Sequence, residues 1–332
     1  MKKLISAILA VMLVFSLTAC NTDSLGEYKQ AAEKTDQITK GQTSGEFSLV
    51  TDFNTDGMTP EEIKELNYYK DMNGKFNISF DDESEKSIYR NYLNMGGLGF
   101  DFDLYINKDE MFVKLPVVGK YMKLNEIQNS ISTEQKEEAH NIVSEETLKA
   151  IASKWIGLMK EDDVFKGKNI VLTTPDGEVK TTEYVIKLSD EQIKTLGSEC
   201  IDIISGDENL NEFYEKYIEE NAEAAENKTL DDVLIELKNN IDKFNVESFS
   251  YTAYVDIDGY IVNEMIECSL SFIDSEKSGL SGASYSLNIK NWDINKEQSF
   301  DFPVLTEENT LKMDEMDENM PDMMEDLFKN KD

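Results

Sequence analysis

One histidine, one arginine, five prolines and three cysteines in 332 residues rule out several kinds of protein at once. His140 alone does not build a multi-histidine metal or catalytic centre. Arg90 alone leaves almost no bidentate guanidinium clamps for phosphate or carboxylate. Cations of any kind are outnumbered, since 67 Asp and Glu against 33 Lys and Arg give a formal charge of −34. Duplex binding needs clustered cations that displace counterions from phosphate, so no nucleic-acid partner is expected. The chain also lacks Gly-x-Ser-x-Gly, a P-loop, Gly-x-Gly-x-x-Gly and His-Glu-x-x-His. No catalytic residue, cofactor or metal site is therefore expected. What the chain does have is 40% hydrophobic content, enough apolar material for a real core.

The N-terminus carries the clearest signal. Met1-Lys2-Lys3 is a positive start, Leu4 to Leu17 is uncharged and apolar, and Leu17-Thr18-Ala19-Cys20 ends in small residues before a cysteine. These are the three parts of a bacterial lipoprotein signal. The apolar run is too short to cross a hydrocarbon core of ~30 Å comfortably. Residues 1–19 read as a cleaved signal peptide and 20–24 as a lipidated tether. The Cys20 thiol takes a diacylglyceryl group and Cys20 becomes the new N-terminus. Two acyl chains, at ~0.8 kcal/mol per buried CH₂, anchor stably where one does not. The expected location is the outer face of the cytoplasmic membrane, with the membrane itself as partner through the anchor. Loss of Lys2 and Lys3 makes the body still more acidic, so anionic headgroups repel it and it stands off on its tether.

Past the signal, Leu25, Tyr28, Ala31, Ala32 and Ile38 share a helical stripe. From residue 44 the period becomes two. Phe47/Leu49/Phe53, Phe76/Ile78/Phe80, Leu98/Phe100/Phe102/Leu104/Ile106 and Met111/Val113/Leu115 alternate with polar residues, as strands with one buried face do. A helix is predicted over 145–160 behind Ser144, followed by a hairpin at Pro175-Asp176-Gly177 and helices within 189–243 separated by an acidic segment. Strands return with Phe249/Tyr251/Ala253/Val255/Ile257, a type I′ turn at Asp258-Gly259, Val262/Ile266/Cys268/Leu270/Phe272 and Tyr285/Leu287/Ile289. Roughly ten or eleven strands with no composition break give an α+β domain over 25–305. Its expected form is one large, strongly curved antiparallel sheet with helices packed on its apolar face. Residues 306–332 read as an acidic, Met-rich tail.

A lipobox, a short helix, a strand run holding Tyr121-Met122-Lys123-Leu124, a central helical block and a strand set ending in Asp301-Phe302-Pro303-Val304 together resemble the LolA/LppX-type lipoproteins of bacterial envelopes. The resemblance spans roughly residues 25–305. It implies a half-barrel with helices over its concave face. Some members carry a lipid or lipoprotein acyl chain between the layers.

Other constellations read as structure. Gly41-Gln-Thr-Ser-Gly45 reads as a loop, and Asp101 and Asp103 as a solvated strand face. Asp256-Ile257-Asp258-Gly259 starts like a calcium loop but continues as a strand. Met313, Met316, Met320, Met323 and Met324 lack the His or Cys that would join a copper site, so they go with the tail. Cys200 and Cys268 sit in apolar-periodic segments, where cysteine behaves as a small hydrophobe, and a bridge between them is the less favoured reading. Trp155, Met159, Leu234 and Leu237 lie on helix faces that should meet the sheet and read first as core packing; with Phe102 and Tyr251 they are also the candidates to line an apolar ligand cavity between sheet and helices.

The function expected from these readings is a non-enzymatic, membrane-anchored lipoprotein that binds an apolar or amphiphilic, lipid-like ligand. The alternative on the same scaffold is a protein-interaction or sensory module with a filled core, its protein partners unspecified. Cys20→Ala removes the acyl acceptor, so the variant should stay unprocessed or leave the membrane fraction. Intact-mass measurement checks this, and acylation persisting in the variant overturns the reading.

Overall fold

The computed structural model describes residues 23–108, 110–114, 119–124, 143–220, 228–273 and 279–311. The signal segment, Cys20, His140 and the methionines from Met313 onward lie outside the described residues. Helix α1 (Ser24–Thr35) leads into β1 (Lys40–Phe53), α2 (Pro60–Lys70), β2 (Asp71–Asp81), β3 (Lys86–Met95), β4 (Leu98–Asn107), β5 (Glu110–Lys114) and β6 (Tyr121–Lys123). Then come α3 (Glu145–Leu158), β7 (Val164–Thr174), β8 (Gly177–Ile186), α4 (Asp190–Ser205), α5 (Glu208–Glu220) and α6 (Leu230–Asn239). Strands β9 (Phe244–Asp256), β10 (Ile261–Phe272) and β11 (Leu280–Trp292) follow.

All eleven strands form one antiparallel sheet in the order β6-β5-β4-β3-β2-β1-β11-β10-β9-β8-β7. The order describes two meanders, β1–β6 and β7–β11, whose first and last strands pair at the middle of the sheet. The result is the α+β, curved half-barrel architecture with six helices.

Register assigns the faces. Ile186, Tyr251, Ile266, Leu287, Phe47, Gly74, Leu93 and Phe100 stand opposite one another across eight strands, so they share one face. This is the helix-bearing, concave face. α1 packs on β7 and β10, α4 on β9, and α3 on α4. Together they bury Tyr28, Ala31, Met159, Val164, Tyr184, Ile186, Tyr251, Ala253 and Val255 in the main core.

The opposite face is largely polar, with Asp101 and Asp103 on it as strand parity predicts. It carries one apolar cluster, Ile88, Tyr105, Phe112 and Tyr121, covered by Phe300, Phe302 and Leu305 from the C-terminal segment. The Tyr121 N–H donates to Asn309 O and the Leu311 N–H to Tyr121 O, both at 2.8 Å. Residues 306–311, assigned to the tail by composition, therefore continue the body along the β6 edge.

Several elements differ from the sequence expectation. Gly41 to Gly45 is strand, part of β1, because backbone pairing with β2 and β11 outweighs the local turn composition. α2 was not expected. Its start is marked by a capping box in which Thr59 and Glu62 exchange side-chain and backbone hydrogen bonds, with Pro60 in the first turn. β3 shows no clean alternation because it has apolar residues on both faces, Ile88 on one and Tyr89 and Leu93 on the other. The acidic stretch after Gly206 is helix α5. At the β9–β10 turn Gly259 has φ 85° but Asp258 is not at positive φ, so the turn is not type I′. There Asp256 Oδ1 accepts from the Asp258 and Tyr260 N–H groups, and the register shifts at Ile261/Asn263. Cys200 on α4 and Cys268 on β10 are free thiols.

One side chain joins the helical layer. Asp207, 2% exposed, precedes α5 and accepts from Leu210 N (2.9 Å), Ser144 N (2.9 Å) and Ser144 Oγ (2.8 Å). Ser144 in turn caps α3. Burial alone would raise the Asp207 pKa, but the bonds from Thr147, Leu210 and Ser144 together hold it at about 2. Asp207→Ala leaves two N–H groups without acceptors and should cost about 2 kcal/mol near neutral pH. With a depressed native pKa, that stability is present above the unfolded value of 3.8 and lost as pH falls through about 2. Denaturant unfolding of both proteins across that window should show the difference shrinking toward acid.

Candidate functional site

The two halves of the concave face are unlike. On β8 and β9, under the helices, Tyr184, Ile186, Tyr251, Ala253 and Val255 are buried. On β1–β5 the same face carries Phe47, Leu49, Met72, Phe76, Ile78, Phe80, Tyr89, Leu93, Phe100, Leu104, Ile106 and Val113, all only half-buried, and Phe102, which is 40% exposed. Among the described residues, α2 packs on β1–β3, with Thr51 Oγ1 donating to Tyr69 O near the end of the strands. α1, α3 and α4 pack on the β7–β10 half, while α6 packs on α4 and α5 on α6.

At the other end of these strands lies a cleft of about 760 Å³. Thr43, Ile78, Phe80, Tyr89 and Ile106 form its floor, and Asp82, Glu85, Lys86 and Lys108 its mouth. Glu85 and Lys108 hold left-handed backbone (φ 53° and 55°) without being glycine, tied by the Lys108 N–H donating to Glu85 O at 2.8 Å. A second cleft of about 400 Å³ is lined mainly by residues of the opposite, polar face, among them Glu46, Ser48, Lys75, Met265 and Glu267.

Two glycines shape the same face beside the first, larger cleft. Gly45 pairs with Phe76 and Gly74 with Phe47, and each ring lies over the glycine opposite. A Cβ on Gly45 would come within 2.1 Å of Phe76 Cζ, and one on Gly74 within 2.5 Å of Phe47 Cε1. The absent side chains leave room for each ring to lie over the backbone of the neighbouring strand.

The boundary between the halves is polar. Trp155 Nε1 donates to Tyr28 Oη at 3.1 Å, and Tyr251 Oη donates to Glu264 Oε1 at 2.9 Å. The Tyr251 ring meets the Tyr28 ring at 5.9 Å and the Trp155 ring at 5.4 Å, both edge to face. Burial pushes Tyr28 up to about 12 and raises Tyr251 and Glu264 as well. Glu27 fixes the other flank of α1, accepting from Tyr184 Oη (2.6 Å) and Lys166 Nζ (2.7 Å). The Lys166 and Tyr184 bonds lower the Glu27 pKa. At the far end of α1 the Ile261 N–H donates to Thr35 Oγ1.

The residues predicted to line a cavity are thus separated. Trp155, Met159 and Tyr251 belong to the closely packed helix–sheet core. Leu234 is buried on α6, which packs on α4 and α5, and Leu237 is 53% exposed. Phe102 alone of the six lies on the open half, and none of them lines either cleft. Ile78, Phe80 and Ile106 were legible as strand residues, while Tyr89 and Glu264 were missed. Parity would have found both, because Tyr89 pairs with Ile78 and Glu264 with Ala253 and Ile289.

No family model and no curated protein matches this chain. Similar solved structures include a DUF1329 family protein from Desulfovibrio piger (9% identity, 83% of this chain and 94% of that one, TM-score 0.19). A LolA superfamily protein from Nitrosomonas europaea has 9% identity over 84% of this chain and 94% of its own, with TM-score 0.21. A beta-barrel-like DUF1849 protein from Brucella abortus has 9% identity over 76% and 98%, with TM-score 0.16.

Gly45→Val tests the close approach of ring and glycine. The Phe76 ring must lift off the strand, which should cost about 1–3 kcal/mol, measured by denaturant unfolding. A neutral effect would mean that the ring moves freely.

Proposed function

We propose that this chain is a non-catalytic envelope lipoprotein that holds an apolar or amphiphilic ligand along the open half of its concave face, tethered to the membrane through Cys20. One observation carries the ligand reading. Aromatic and aliphatic side chains on β1–β5 are left half-buried on the same face that is fully buried on β8 and β9. An exposed apolar surface of this extent beside a cleft of about 760 Å³ is what a lipid-binding groove requires. The mechanism is removal of acyl chains from water against these side chains, at ~25 cal/mol per Å² of apolar surface. The anchor rests on the Lys2-Lys3, Leu4–Leu17 and Cys20 pattern.

Ile78→Glu puts a charge on the cleft floor. It should weaken binding of a fluorescent long-chain fatty probe by at least about tenfold while leaving the unfolding midpoint near the wild-type value. Val255→Ala, in the packed half, should lower stability and spare binding. Failure of the wild-type protein to bind the probe, or equal binding by Ile78→Glu, sinks the proposal.

A further inference from the structure

Among the described residues, Glu264 is the one carboxylate that strand register places in the middle of the apolar face. Its row across the sheet reads Ala253, Glu264, Ile289, Gly45, Phe76. On one side the row runs under the packed helices, and on the other it opens onto the half-buried floor. The side chain is closely surrounded, yet the residue is not shut off from solvent. That combination describes a partly accessible group at the boundary between the packed and the open half. Oε1 accepts the Tyr251 hydroxyl at 2.9 Å. Among the described residues the carboxylate has no other side-chain hydrogen-bond partner, and no fully buried polar side-chain atom lacks one. Oε2 is therefore the accessible, acceptor-bearing atom.

A carboxylate in an apolar wall is costly unless something donates to it. Tyr251 satisfies one oxygen and is itself held edge to face against the Tyr28 and Trp155 rings. The orientation of Glu264 is thus set before any ligand arrives, with one oxygen turned to the core and the other left over. We infer that Glu264 Oε2 is the polar recognition point of the groove, accepting a hydrogen bond from a hydroxyl on an amphiphile whose chain lies on the β1–β5 floor. This rests on the ligand reading above and adds the class of ligand, which is an amphiphile bearing a hydrogen-bond donor.

The test uses two neutral probes with the same chain, so the acidic body does not bias them. The purified full chain is titrated calorimetrically with dodecanol and with dodecyl methyl ether. Wild type should prefer the alcohol by about tenfold, the weight of one hydrogen bond to a charged acceptor. In Glu264→Gln the Tyr251 hydroxyl occupies the amide oxygen and the amide N–H faces the groove. It donates equally well to alcohol and ether, so the preference should fall to near one. Glu264→Met, which has no acceptor of this kind, gives the same comparison if the Gln variant does not fold. A preference that persists in the folded variant overturns the inference, as does equal binding of both probes by wild type. If Glu264 only props up Tyr251, the variants lose stability and keep the wild-type ratio, which also overturns it. Binding of neither probe by wild type overturns the ligand reading itself.

Discussion

Strand β1 runs antiparallel to β11 from Gln42–Trp292 to Phe53–Leu280, and this seam makes one sheet out of two meanders. Its register also decides which side chains share a face. Because side chains alternate, a slip of one residue would put Glu46 and Ser48 where Phe47 and Leu49 now stand. Gly45 and Phe47 answer Phe76 and Gly74 on the neighbouring strand, and that complementarity is lost in any other register. The floor of the groove and the fidelity of the seam are therefore one constraint.

The helical layer stops where it does for a chemical reason. α1 is pinned by Glu27 to Tyr184 and Lys166 at one end and by Thr35 to the Ile261 N–H at the other. α3 reaches the same place through Trp155 and Tyr28. Beyond Glu264 the face carries Ile289, Leu287 and the aromatic residues of β1 and β2. Hydrogen bonds are directional and apolar contacts are not, so the polar chain gives the layer a defined edge.

Much of this was legible in the sequence, and the exceptions share a cause. Period-two alternation reveals a strand only when one face is apolar, so β1, β2 and β4 could be read while β3, with Ile88 on one face and Tyr89 and Leu93 on the other, could not. The curved sheet followed from the order of elements, but the lining of a groove depends on which half of a face a helix covers. Trp155 and Ile78 look alike in a periodicity pattern, and only tertiary placement separates a core residue from a floor residue. Glu264 was passed over because an acid among strand residues in so acidic a chain looks like a solvated position. Asp101 shows that this default is sound on the other face, where the side chain is exposed.

If the open half binds the ligand as proposed, dividing one sheet into a packed and an open half separates stability from binding. Residues such as Ile186, Ala253 and Ile261, essentially inaccessible to water, supply the burial that keeps the domain folded. The open half contributes less to stability per residue, because its apolar area stays partly hydrated. That incomplete burial leaves a favourable free energy for a ligand to realise when it displaces the water. A groove that was filled by its own side chains would be more stable and would have nothing left to offer. The rings that lie over Gly45 and Gly74 mark this trade-off in the sequence, since larger residues there would force the rings up into the space above the sheet.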